Sequence, residues 1–185
     1  MKMGTWWMIA LAGLLIASRG AAQAPDGTLS DREVEELRDA SFVPMDCIAA
    51  YEMILNRREK DIEDLLAKPR HAGRETDLHD LMEQMAGIAD ELNDHLDDYT
   101  AKHRDVRKAL PKLLQATERW STTLRAPPEN DEYKVVRKLA LDTIRDMRDE
   151  VESMQTDEEA YFKAHPDAAK VEKDRLARAH DTTPN

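Results

Sequence analysis

The 185-residue chain has one cysteine, Cys47, two phenylalanines and only six glycines. Three of those glycines, and two of the three tryptophans (Trp6, Trp7), fall in the first 22 residues, so the remainder is poorer still. So little glycine speaks against an α/β nucleotide fold, whose phosphate loops and tight turns depend on it. Valine, isoleucine and aromatics are also few beside Ala, Leu, Glu, Lys and Arg, which disfavours a β protein. A lone cysteine cannot staple its own chain. The familiar catalytic spacings are missing too: there is no Glu-x-x-His, His-Glu-x-x-His, Cys-x-x-Cys-His, Gly-x-Ser-x-Gly or Walker loop. These absences point away from an enzyme, and no cofactor is expected. Finally, 27 Lys+Arg face 38 Asp+Glu, a net charge of -11, which disfavours nucleic acid or an anionic membrane as partner.

Residues 1–22 read as a secretory signal peptide. Lys2 gives a short positive start, Trp6 to Ala17 is an uncharged apolar run, and small residues follow as far as Ala24. Twelve apolar residues make a helix of about 18 Å, too short for a hydrocarbon core of about 30 Å, so no stable membrane insertion is expected after cleavage. Cleavage after Ala22 is preferred, because the alternative after Ala24 places Pro25 beside the scissile bond. No cysteine follows the apolar run, so a lipid anchor there is not supported. The protein is expected to be exported, periplasmic or secreted.

The remainder reads as helices. Ser30-Asp31-Arg32-Glu33 forms a capping box, followed by a short amphipathic stretch with Val34, Leu37 and Ala40 on one side. Pro44 interrupts it by driving Val43 out of the α region, leaving residues 29–43 as an N-terminal helical arm. Ile48, Tyr51, Leu55, Arg58, Ile62 and Leu65 then follow the alternating three-four spacing of a coiled-coil seam. Arg58, its single polar member, is expected to reach a neighbouring carboxylate. Pro69 and Gly73 end this helix. A second seam opens near Thr76, the expected N-cap, and runs through Leu78, Leu81, Met85, Ile88, Leu92, Leu96, Tyr99, His103, Val106 and Leu110. Leu113, Thr117, Trp120 and Leu124 continue in phase, which predicts one helix over 75–126, kinked near Pro111. After the turn at 126–130, Val136, Leu139, Ala140, Ile144, Met147, Val151, Met154 and Tyr161 mark a third helix ending at His165-Pro166.

Three seams of period 3.5 predict an all-α fold: an elongated antiparallel three-helix bundle with long kinked helices over 23–165. The alternative is a four-helix bundle broken at Pro111. The charged, alanine-rich stretch 166–185 is expected to be a tail, frayed or disordered.

The candidate site residues lie on the second helix. His79 and Glu83, then Glu91 and His95, are spaced four apart, so each pair shares a face and can offer imidazole and carboxylate to a divalent metal. The same spacing also produces ordinary solvated pairs. Cys47 reads chiefly as a small buried residue, with an intermolecular disulfide as a second possibility in an oxidising compartment. Asp46 beside it would raise its pKa and blunt it as a nucleophile. Trp120 reads as a core anchor. These features favour an exported, non-enzymatic helical protein, monomer or homodimer, that binds a protein or envelope component. The alternative is a divalent-metal or small-ligand binder built on the histidine pairs.

Overall fold

The computed structural model describes the backbone of residues 28–182 and the side chains of 28–178. The expected signal peptide lies outside the described residues. Among them the fold is all-helical, with six helices and no strands: α1 (Asp31–Ala40), α2 (Pro44–Ala67), α3 (Arg74–Ala101), α4 (Leu110–Arg125), α5 (Lys134–Ala164) and α6 (Pro166–Thr182). None of these helices is long and apolar enough to cross a membrane.

The local signals explain most boundaries. Ser30 Oγ accepts from the Glu33 N–H at 3.3 Å, and Glu33 Oε2 accepts from the Ser30 N–H at 2.9 Å, which completes the capping box of α1. Val43 is extended (φ -122°, ψ 116°), as a residue before proline must be, and Pro44 opens α2 where its missing N–H goes unused. Gly73 takes φ 88°, a left-handed position that suits glycine, and α3 starts at Arg74. Thr76 is therefore not the cap. Its hydroxyl instead donates to Glu132 Oε1 at 2.6 Å, linking α3 to the start of α5.

The predicted continuous helix over 75–126 is two helices, α3 and α4, separated by residues 102–109. The break comes from His103, which adopts φ 46°. The Arg104 N–H bonds back to the Tyr99 carbonyl at 2.9 Å and the His103 N–H to Thr100 at 3.1 Å, the paired closure of a left-handed helix terminus. Pro111 does not kink a helix. It sits in the first turn of α4, where no donor is required of it. The in-phase register misled because Val106, though outside any helix, is as fully buried as Leu110. Without the continuous helix the longest element is α5, 31 residues or about 46 Å.

The apolar core is one cluster fed by α2, α3, α4 and α5, with α2 and α5 each packed against both α3 and α4. Ile48, Tyr51, Leu55 and Ile62 of the first seam are buried, as are Leu78, Met85, Ile88, Leu92 and Leu96 of the second. Trp120 is fully buried, and its indole N–H donates to Asn56 Oδ1 at 2.9 Å, so the ring packs without orphaning its polar atom. Three expected seam positions face solvent: Val34 on α1, His103 after α3 and Leu139 on α5. On α5 the apolar face instead continues through Val151, Met154 and Phe162. α1 packs on α2, and α6 packs on α5.

The position of Pro111 yields a discriminating expectation. Within a continuous helix, Pro111→Ala would remove a penalty of about 3 kcal/mol. In the first turn of α4 the exchange should change stability by less than about 0.5 kcal/mol, as read from urea melts of the two proteins.

Candidate functional site

The histidine ladder of α3 divides into two. His79 lies 16 residues before His95, about 24 Å along the axis, so the two imidazoles cannot share one ion. At the first end His79, Asp80 and Glu83 offer ligand atoms within 4.8 Å of one another, with His79 Nδ1 3.2 Å from Asp80 Oδ1. Asp80 was not among the candidate ligands because a search at spacing four passes over the adjacent residue. At the other end the pair faces the α2–α3 interface. Glu91 Oε2 accepts from the Tyr51 hydroxyl at 3.3 Å, and the His95 ring lies between Tyr51 and Tyr99, with centroids at 5.3 and 6.0 Å.

Cys47 lies in this same interface, 2% exposed and beside the Tyr99 side chain. Burial pushes the thiol pKa up, and the Tyr99 contact offsets this only in part. Burial likewise raises the pKa of Tyr51, with Glu91 adding to it, and of Tyr99, with Cys47 adding to it. The arrangement keeps thiol and phenols protonated at neutral pH. That suits packing and hydrogen bonding rather than nucleophilic attack.

The turn that ends α3 gathers a second polar cluster. Glu158 on α5 is 1% exposed; one carboxylate oxygen meets His103 Nδ1 at 3.0 Å and the other has no partner among the described residues. The His103 ring stacks on Tyr161 at 3.5 Å and 7°, and Tyr161 stacks on His165 at 4.5 Å. Arg104 Nε donates to Glu172 Oε1 at 2.6 Å, tying α6 to the α3–α4 connection. Arg107 bonds both oxygens of Asp105, holding its carboxyl below the usual range, and lies 4.5 Å over Phe162. Sequence periodicity placed His103 in a helical seam. The available contrary signal was its residue type, since histidine tolerates positive φ better than most.

A groove between α1, α2 and α4 has a volume of about 650 Å³. Ala40, Ala49, Ala50 and Met53 give it an apolar lining; Glu36, Asp39 and Asp46 are its acids and Lys112 its one cation. Met53 is 47% exposed, and Phe42 at the α1–α2 corner is 65% exposed. Asp39 and Asp46 have no ion-pair partner among the described residues. Lys112 Nζ pairs with Glu52 Oε2 at 3.2 Å.

The groove exists because α1 is clamped. Glu33 accepts two bonds from Arg58, at 2.9 and 2.7 Å, while Arg57 donates to Glu36 at 2.8 Å. Arg58 thereby finds the carboxylate expected of it, and it comes from the arm. Thr28 is also drawn in: its side chain lies where a Cβ on Gly87 of α3 would come within 3.1 Å, so the small residue there makes room for the incoming chain.

No protein-family model, curated protein or solved structure matches the chain.

Two outcomes follow. Burial alone would raise the pKa of Glu33, but Arg58 and Ser30 outweigh it and hold the carboxyl at about 2 against an ordinary 4.5. A depressed carboxyl stabilises the fold fully above its unfolded pKa and loses that contribution as pH falls through the folded one. Arm docking should therefore be intact above pH 4.5 and fade toward pH 2, as followed by circular dichroism melts. Glu33→Gln leaves Arg58 buried without its carboxylate and should cost about 3 kcal/mol at pH 7. Separately, Cys47 should resist an aromatic disulfide reagent in the native state and react at once in urea. Prompt labelling of native protein would contradict its placement.

Proposed function

We propose that this protein is an exported, non-enzymatic binding domain, a bundle of four long helices whose α1–α2–α4 groove takes a cationic amphipathic segment of a protein partner. The observation that carries the reading is the groove: an apolar lining with Met53 half-exposed, beside the carboxylates of Asp39 and Asp46, which are unpaired among the described residues. Exposed apolar surface beside uncompensated charge of one sign suits a segment carrying Leu or Ile on one face and Lys or Arg at its edge. Methionine adapts to varied side chains, which suits a floor that meets more than one sequence. The net charge of -11 would steer such a segment toward the surface and repel acidic ones. Export rests on the apolar stretch within residues 1–22, and nucleic acid is not an expected partner.

The test uses a synthetic amphipathic peptide of leucine and lysine, with its leucine–glutamate counterpart as control. Binding by fluorescence anisotropy should favour the lysine peptide and weaken by about tenfold or more in Asp39→Lys combined with Met53→Glu. Equal binding of both peptides, or an unchanged affinity in the variant, would contradict the groove.

A metal-binding role is the second reading, favoured by the convergence of His79, Asp80 and Glu83 within 4.8 Å. One imidazole and two carboxylates suit a divalent cation such as zinc or manganese. Isothermal titration with zinc should then show one site that His79→Ala removes, while His95→Ala leaves it unchanged. No heat above buffer would dismiss this reading.

A further inference from the structure

We propose that the concavity at the α4–α5 turn is a binding site for a phosphate-bearing anion. The site is separate from the groove and does not depend on it. It measures about 490 Å³ and reverses the sign of the chain: five cations line it in a protein with 38 acids and 27 bases. Net charge is an average over the whole surface, whereas an ion responds to charges within a screening length of about 8 Å.

Arg137 is the fixed element. It is 8% exposed, and its guanidinium donates to the Pro127 carbonyl at 2.9 Å, which holds the head in one orientation. Among the described residues its one carboxylate partner is Glu129, whose side chain is 86% exposed and so screened by water. A buried cation is thus answered by a loosely held surface acid. Arg125 has no carboxylate partner among the described residues; its guanidinium reaches the Ser121 carbonyl of its own helix at 3.4 Å. Lys138 and Arg145 share Asp142, the second acid of the concavity.

The backbone adds to this. α5 begins at Lys134 with no acidic residue in its first turn and no side-chain cap, whereas α1, α2, α3 and α6 each carry an acid there. No acid within the first turn offsets the positive end of this helix beside the cations, and the nearest, Asp131, lies just before it and pairs with Lys134. Planar guanidinium forks from Arg125 and Arg137 match the geometry of phosphate oxygens, with the flexible Lys134 and Lys138 closing around them. Loose surface pairs such as Lys134–Asp131 are worth little and exchange readily for a multivalent anion.

Val135 and Leu139 stand exposed on the adjacent face of α5. The phosphate can therefore belong to a soluble molecule or to a lipid headgroup whose chains meet these two residues. The experiment separates the sources. Pyrophosphate is titrated into the full chain at fixed ionic strength, and flotation is measured with phosphatidylglycerol vesicles against phosphatidylcholine ones. For a soluble ligand, pyrophosphate binds and its affinity falls about tenfold or more in Arg125→Glu with Lys138→Glu. For a headgroup, flotation with phosphatidylglycerol alone is lost both in that variant and in Val135→Asp with Leu139→Asp. Arg125→Gln, which reverses no charge, should weaken the same binding to a smaller degree. Neither binding nor flotation, or responses unchanged by the Arg125 and Lys138 substitutions, would overturn the proposal.

Discussion

The arm of this protein is held around one buried carboxylate, with the Glu36–Arg57 pair beside it. Glu33 closes the capping box with Ser30 and takes both guanidinium forks of Arg58, at the interface of α1 with α2. Either contact alone would be modest. Sharing one carboxylate means that the group that starts α1 also fixes where it lies. Arg58 would otherwise be a buried cation in an apolar seam, so the pair constrains α2 as much as α1. The groove inherits this constraint, since its lining comes from the clamped helix, through Glu36, Asp39 and Ala40, and from the helix that clamps it.

A second constraint acts at the other end of α3. The left-handed turn at His103 stops the helix and sends the chain through 102–109 into α4. That connection supplies Arg104 to α6 and places His103 over Tyr161. Four core helices pack because of this turn. A single helix spanning 75–126 could not have packed α2 and α5 each against two partners.

The helical class, the capping box, the break before Pro44, the burial of Trp120 and most core positions were legible because each depends on neighbours within a turn or two. The break at His103 was not. Its usual marker, glycine, is absent, and buried Val106 preserves the helical phase across a non-helical segment. The two halves of the α3 ladder were visible as residues but not as separate surroundings, since tyrosines from α2 and α3 decide what His95 meets. The groove and the cationic concavity escaped entirely. Each is made by residues from two or three helices whose mutual placement no local pattern encodes, and an overall charge of -11 concealed a local excess of arginine and lysine.

The central claim is that α1 is a clamped wall of a binding groove rather than a free arm. Hydrogen exchange of the full chain at neutral pH tests it most directly. The account predicts that amides of 34–40 exchange slowly and gain further protection when the leucine–lysine peptide is added, together with those of 49–56. Rapid exchange throughout 31–40 in the free protein, with no change on adding peptide, would contradict it.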